Sequence, residues 1–397
     1  MAHHIYGKLR TQKKAAAAWL AAPKRLQLLI LLRLLMNIAL YFRFGVKIVF
    51  DSHRYLAYAD SLMAGETYWY RADSILYSGY TFFLTAILHL LELPIKSVIL
   101  IQVLVSGLAL ICLYSAVYNL TSNRVSSFIC SFLYIAWPEI HLWNFYIHTE
   151  SLYISTSIFI LYYLSIKTKS RFDTIACALL FLFVVVLRPN GFFLVIGVIG
   201  YLIHRFHERF SQSSKLTFSV ITLPFLAYGA YISLEIYSPI NSLLQGHAIQ
   251  GYQDVRINMK PMPSNTAGAG VMQMFYIVAD QPVNYIKLLL LRFGYFWGQV
   301  RPYYSVIHNA TIVVFYLPAY FFALKGFRKI LQHPIYTFML TVMSLQTLMV
   351  MALAVDWDNR FMVPLLPYIF VFTSIGLTSS STYNHVSSVA SQTGSIV

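Results

Sequence analysis

Long uncharged apolar segments recur along almost the whole chain, and they limit its possible folds more than any other feature. A helix that crosses a bilayer needs about 20 apolar residues, with a range of about 17–25. Of the 397 residues, 58% are hydrophobic and 11% are charged, whereas roughly a quarter are charged in soluble domains. We therefore expect an all-α, polytopic membrane protein. The apolar segments are 28–41, 98–118, 152–166, 175–187, 192–203, 216–236, 312–324, 335–355 and 361–377.

The positions of the basic residues predict how these helices are oriented. A net charge of +15 could indicate nucleic-acid binding, but the lysines and arginines lie in short loops between apolar segments. Such loops face the cytoplasm in membrane proteins. Placing 1–26, 167–171, 205–215 and 325–329 inside predicts about ten crossings with both termini cytoplasmic. The domains are then a basic N-terminus (1–26), a membrane-embedded domain (27–378) and a Ser-rich tail (379–397).

One apolar segment, 75–93, must not cross the membrane if this orientation is to hold. Tyr77, Ser78 and Gly79 interrupt it, and it ends in polar residues, as in a helix that lies in the outer interface. The first outer loop then spans 50–96, and the long outer loop spans 237–304. Arg33, inside the first apolar segment, is expected to extend to the inner membrane surface.

The polar residues outside the cytoplasmic loops converge on the outer face of this topology. Asp51, Glu150, Arg188 and Arg360 are the main candidates for chemistry, because a carboxylate can act as a general base and arginine binds phosphate with two parallel donors. Each has an alternative interpretation. Asp51 can simply lie where the first helix leaves the membrane, and Glu150 can stabilise a helix N-terminus. Arg188 can anchor a helix end at the membrane surface, and Arg360 can pair with Asp356 or Asp358.

Five segments, in this order, resemble membrane-embedded glycosyltransferases of the GT-C type. Asp51 follows the first helix and precedes a Tyr and an Ala-rich, Gly-ended helix; Ser78 and Thr81 stand where the family has prolines. The segments are 50–65, 77–84, 138–152, 187–189 and 360–367.

The resemblance implies an enzyme that transfers a sugar from a polyprenyl- or dolichyl-phosphate donor to a lipid, glycan or protein hydroxyl. Asp51 would be the general base, and Glu150 would orient the acceptor or a bound divalent cation. The enzyme would lie in a plasma membrane, such as the bacterial inner membrane, with its site facing outward and no nucleic-acid partner. The residues expected to bind substrate are His53, Tyr55, His148, Arg188, Arg292, Arg301 and Arg360.

Two other functions stay open on the sequence alone. A flippase or transporter of lipid-linked glycans would carry charges in mid-membrane and repeated halves, and the predicted spans are nearly uncharged. A polymerase or ligase of lipid-linked glycans would have arginine-rich outer loops but would not need an acid at the start of the first loop. No P-loop, metalloprotease or nucleophile-elbow motif occurs.

Overall fold

A computed structural model describes residues 24–65, 67–70, 72–166, 168–206, 245–260, 276 and 278–378. The predicted 216–236 helix, the Ser-rich tail, most of the basic N-terminus and parts of the long outer loop lie outside these residues. The described part is mainly helical, which confirms the all-α class, and it includes one small β-hairpin. The first seven helices are α1 (Lys24–Phe44), α2 (Asp51–Ala64), α3 (Ala72–Ile75), α4 (Ser78–Thr85), α5 (Lys96–Thr121), α6 (Arg124–Ala136) and α7 (Pro138–Leu142). The later elements are α8 (Glu150–Ser165), α9 (Arg171–Leu187), α10 (Gly191–Phe206), β1 (His247–Ile249), β2 (Tyr252–Arg256), α11 (Pro282–Gly298), α12 (Val306–Ile330), α13 (Pro334–Leu353) and α14 (Leu366–Leu377).

Four described helices, α1, α5, α12 and α13, are long and apolar enough to cross a membrane. A fifth candidate is α6 joined to the segment Pro138–Phe145, although the two are bent by 65° at Trp137. Shorter apolar helices cover Ser78–Leu90, Gly191–Phe206 and Val363–Leu377. At 1.5 Å per residue, Ser78–Leu90 is about 20 Å long, which is less than the hydrocarbon core of about 30 Å. The ten-crossing topology stays a prediction.

The long helices carry exposed apolar faces that water would not solvate. Leu31 on α1 is 51% exposed, and Val314 and Leu317 on α12 are 74% and 68% exposed. Apolar helix faces that are exposed in this way are typical of contact with lipid or with another protein. Together with helix length, it indicates a membrane protein.

Two central helices, α8 and α14, are buried along almost their whole length. α14 packs against α12 at unusually close range through Gly326 and Gly376. A Cβ atom at either glycine would lie 1.9 Å from a backbone oxygen, that of Phe372 or Phe322. Small residues let membrane helices approach in this way and form close van der Waals contacts.

Arg33 is buried between helices. Its side chain is 7% exposed, and Nη2 donates to the carbonyl of Val103 on α5 at 2.6 Å. A Cβ at Gly107 would lie 3.0 Å from Arg33 Nη1, so the glycine lets the guanidinium pack closely against α5. The expectation that Arg33 extends to the inner membrane surface is therefore wrong: its guanidinium lies between α1 and α5 and donates to a carbonyl of α5.

Candidate functional site

The loops that follow α1 and precede α8 are held together by backbone pairing. Lys47 and Tyr146 form a parallel bridge, in which the Lys47 amide donates to the Phe145 carbonyl at 2.8 Å and the Ile147 amide donates to the Lys47 carbonyl at 3.2 Å. Both segments then enter a helix within a few residues, α2 at Asp51 and α8 at Glu150. The two acidic residues predicted from sequence are brought close by this pairing.

A solvent-accessible layer of charge surrounds Asp51. Arg360 donates from Nη1 to Asp51 Oδ2 at 2.9 Å, and Arg54 Nη2 lies 3.2 Å from Asp51 Oδ1. The side chains of Asp51 and Arg360 are each 26% exposed, so a ligand arriving from solvent can contact both. Arg54 was not assigned a function from sequence, although its spacing of three residues on a helix is a known signal for pairing with Asp51.

A second, buried layer lies beneath the first and is centred on Glu150. Arg188 Nη1 lies 3.2 Å from Glu150 Oε1, and Arg360 Nε lies 3.7 Å from the same oxygen. His148 Nδ1 lies 3.5 Å from the other carboxylate oxygen, Oε2, while its Nε2 donates to the Val49 carbonyl at 3.1 Å. Arg360 contacts both Glu150 and Asp51 and so connects the two layers.

The electrostatic balance of this cluster keeps Asp51 ionised. Burial raises the pKa of the Asp51 carboxyl, but the charges of Arg360 and Arg54 lower it by more. The pKa therefore lies below its ordinary value. Within the cluster, the guanidinium groups of Arg54, Arg188 and Arg360 face the carboxylates of Asp51 and Glu150. Three guanidinium groups beside two carboxylates provide donors for an anionic ligand such as a phosphate. The carboxyl groups of Asp356 and Asp358 also lie within electrostatic range of Arg360, and burial raises the pKa of Asp358 to about 7.

The loop between α13 and α14 carries Arg360, and its shape depends on buried polar contacts. Asp356 Oδ1 accepts the Phe361 amide at 3.3 Å, and Asn359 adopts a left-handed conformation with φ +59°. Arg301 donates to the Asn359 side chain and, at 3.3 Å, to the Asp356 carbonyl. Arg301 therefore holds the loop that presents Arg360 and does not contact the carboxylates of Asp51 or Glu150.

Arg292 also lies away from the cluster. Its Nε and Nη2 donate to the His247 carbonyl at 3.1 and 2.9 Å. Nη1 donates to the carbonyls of Met351 and Ala352 at 3.0 and 2.9 Å. The side chain is fully buried. It joins α11 to the hairpin and to the end of α13, and these carbonyls occupy donors that were expected to bind substrate.

Aromatic rings pack around the other side of the cluster. Tyr55 is buried, and its ring lies 5.3 Å from those of Tyr77 and Tyr80 and 6.0 Å from that of His148. The Arg54 guanidinium lies 5.0 Å from the Tyr77 ring centre. The same guanidinium lies 5.4 Å from the Tyr55 ring centre, so Tyr55 helps to fix both His148 and Arg54. His53 is exposed on α2.

The site offers few ligands for a metal ion. Among the described residues, no group of three or more His, Cys, Asp or Glu side chains could hold one. Both oxygens of Glu150 already face cationic or histidine side chains. Both oxygens of Asp51 are likewise paired, Oδ1 with Arg54 and Oδ2 with Arg360.

The sequence matches no profile of a known protein family and has no significant similarity to a curated protein.

Proposed function

We propose that this protein is a membrane glycosyltransferase that takes a sugar from a polyprenyl- or dolichyl-phosphate donor at the non-cytoplasmic face. The observation that carries the proposal is the contact of Arg360 with both Asp51 and Glu150. A candidate base and a candidate phosphate ligand, 309 positions apart in sequence, lie side by side where solvent can enter. The ten-crossing, GT-C-like topology belongs to the same proposal.

In the proposed reaction, the acceptor hydroxyl oxygen forms a bond to the anomeric carbon of the sugar. The bond from that carbon to the phosphate oxygen breaks, and its electron pair leaves with the polyprenyl phosphate. The hydroxyl proton passes to the Asp51 carboxylate. The leaving phosphate gains charge as its bond breaks, so a fixed guanidinium stabilises the transition state more than the ground state.

Arg360 has a double role in this scheme. In the ligand-free protein it pairs with Asp51 at 2.9 Å and holds the pKa of that carboxyl down. A donor phosphate would compete for the same guanidinium and weaken the pair. The proton affinity of Asp51 would then rise only when donor is bound, which limits base catalysis to the loaded enzyme.

Glu150, Arg188 and His148 form the buried layer beneath Asp51 and Arg360. Their side chains are at most 5% exposed, so we expect them to position Arg360 and not to touch the substrate directly. The prenyl chain would lie against apolar helix surface, and other machinery would deliver the lipid-linked sugar to the outer face, because nucleotide sugars stay in the cytoplasm. A divalent cation, if used, would bind with the donor phosphate.

The test is transfer by purified protein from radiolabelled polyprenyl-phosphate sugars to a membrane extract. Asp51→Asn should reduce transfer by about 10²–10⁴-fold, the usual contribution of a general base. Asp60→Asn is the matched control, since Asp60 lies on the same helix, is 71% exposed and pairs only with His89 among the described residues. It should transfer normally.

Folding is checked by gel filtration and thermal unfolding, and Asp51→Glu should restore part of the activity. Equal transfer by wild type and a folded Asp51→Asn protein would remove Asp51 from the reaction. Absence of transfer from every prenyl-phosphate sugar, with folded wild type, would remove the glycosyltransferase proposal.

A further inference from the structure

A cavity of about 430 Å³ lies beside the charged cluster. Small-molecule sites in proteins usually measure about 300–1,000 Å³ and combine apolar walls with a few polar groups. This cavity lies between the end of α6, the segment 138–146, the start of α12 and the loop that carries Arg360. The lining residues that matter here are Glu139, Trp143, Tyr146, Tyr304, His308 and Asp358.

The walls of the cavity are aromatic. The rings of Trp143 and Tyr146 lie 4.9 Å apart, and Tyr304 stacks on His308 with centroids 4.2 Å apart and planes within 12° of parallel. The C–H groups on one face of a pyranose pack against flat aromatic surfaces of this kind. Two such walls in one cavity favour a ring-shaped ligand with an apolar face.

The polar groups in the cavity include two carboxyl groups, Glu139 and Asp358, together with hydroxyl, indole and imidazole groups. Glu139 is held by Trp137, whose Nε1 donates to Oε2 at 3.2 Å, and by His308, whose Nε2 lies 3.5 Å from Oε1. The Asp358 carboxylate makes no ion pair with any side chain that the structure describes. Carboxyl groups at two points of an aromatic cavity can form hydrogen bonds with several hydroxyl groups of one ligand, since an ionised carboxyl accepts and a protonated carboxyl also donates.

The cavity and the charged cluster share a wall. The rings of Trp143 and Tyr146 contact His148 at 5.8 and 5.5 Å, and His148 faces Glu150. Asp358 stands two residues before Arg360 in the same loop. A molecule in the cavity would therefore lie next to the charges that we assign to sugar transfer.

We propose that this cavity binds a carbohydrate, so that the acceptor of the transferred sugar is itself a glycan hydroxyl and not a protein or simple lipid hydroxyl. This inference rests on the proposed function for the word acceptor, but carbohydrate binding can be measured without any transfer. Aromatic walls with carboxylates can also hold an organic cation, and that occupant is an outcome of the test.

The experiment measures intrinsic tryptophan fluorescence of the detergent-purified full chain, because Trp137 and Trp143 both line the cavity. The probes are methyl glycosides of glucose, galactose, mannose, rhamnose and N-acetylglucosamine, with tetramethylammonium chloride and a Gly-Ser-Gly peptide for comparison. We expect a saturable change with at least one glycoside. Tyr304→Ala and Asp358→Asn should each weaken it by about tenfold or more, equivalent to about 1.4 kcal/mol.

The controls are matched by residue type. Tyr118→Ala changes a 40% exposed tyrosine at the far end of α5, and Asp254→Asn changes an exposed aspartate on β2. Both should bind glycosides as wild type does. Because Tyr304 is only half-buried, its replacement should leave the fold intact, which thermal unfolding verifies.

The inference is overturned if no glycoside in the panel gives a saturable change, if only the ammonium ion or the peptide does, or if folded Tyr304→Ala and Asp358→Asn proteins bind as well as wild type. Its failure is distinct from failure of the proposed function. Glycoside binding without transfer activity would overturn only the enzyme proposal. Asp51-dependent transfer without glycoside binding would overturn only the carbohydrate cavity.

Discussion

Replacing Arg188 by Met removes one partner of the most deeply buried arginine–carboxylate pair in the cluster. Arg188 and Glu150 are 5% and 2% exposed at the side chain, with 3.2 Å between Nη1 and Oε1. Met keeps much of the length of the side chain and removes its charge. Glu150 would then keep the longer contacts to Arg360 and His148 and the hydrogen bond from the Thr149 hydroxyl at 3.4 Å.

The expected loss follows from this geometry. At 3.2 Å and an effective dielectric constant of about 20, the direct attraction is about 5 kcal/mol. The Met variant does not have to bury a charged guanidinium, and avoiding that desolvation cost offsets part of the lost attraction. Breaking one side of a buried pair usually costs about 3–5 kcal/mol, and we expect about 3 kcal/mol because Arg360 remains near the carboxylate.

The assay is reversible unfolding in mixed micelles with increasing sodium dodecyl sulfate, followed by circular dichroism. A double-mutant cycle with Glu150→Gln isolates the pair, and the interaction energy should be about 1–3 kcal/mol. Arg171→Met, at an exposed first position of α9, is the control and should change stability by less than about 0.5 kcal/mol. A loss below about 1 kcal/mol for Arg188→Met, or additive effects in the cycle, would refute the assigned pairing.

Three further predictions concern other parts of the fold. Gly326→Ala should destabilise by about 1–3 kcal/mol or more, because its Cβ would meet a backbone oxygen at 1.9 Å. Gly294→Ala, with open space around it, should be neutral or slightly stabilising in the same unfolding assay; equal losses would contradict the close helix contact. Arg292→Leu should lower stability by at least about 3 kcal/mol, since it strands carbonyls that the guanidinium now satisfies, and a folded variant of wild-type stability would contradict this. Burial and the charge of Asp356 raise the pKa of Asp358 to about 7 from 3.8, so its folded form binds a proton more tightly than its unfolded form. The contribution of protonated Asp358 to the free energy of unfolding is fully present below about pH 4 and is lost as pH rises through about 7. Unfolding measured against pH should lack this contribution in Asp358→Asn, and a pH profile identical to that of wild type would contradict the prediction.

The composition and the apolar segments predicted the class of fold correctly. Helices long enough to cross a membrane occur where 28–41, 98–118, 312–324 and 335–355 required them. The reason is that a long apolar segment must satisfy its backbone hydrogen bonds away from water, and a helix does so within the segment. Local sequence also determines where helices begin. The Asn123 side chain accepts hydrogen bonds from the backbone amides of Val125 and Ser126 at the start of α6.

The candidate site was harder to predict. Asp51, Glu150, Arg188, His148 and Arg360 were all selected from sequence, and the structure brings them together. No local pattern could reveal that Arg360 would contact both acids, because that depends on loops joined by long-range backbone pairs. Arg54 and Tyr77 were not predicted as site residues. Arg54 pairs with Asp51 one helical turn away, and its guanidinium packs on the Tyr77 ring, which belongs to a later segment.

The sequence by itself determined that the chain is a helical membrane protein with acidic and basic residues in the segments between its apolar helices. Hydropathy and length decide this, and both are properties of local segments. Only the tertiary structure decided what each arginine does. Arg360 and Arg188 face carboxylates, whereas Arg292, Arg301 and Arg33 donate to backbone carbonyls on neighbouring segments. A buried guanidinium must be satisfied by whichever acceptor the fold places within about 3 Å, and that acceptor is rarely a neighbour in sequence.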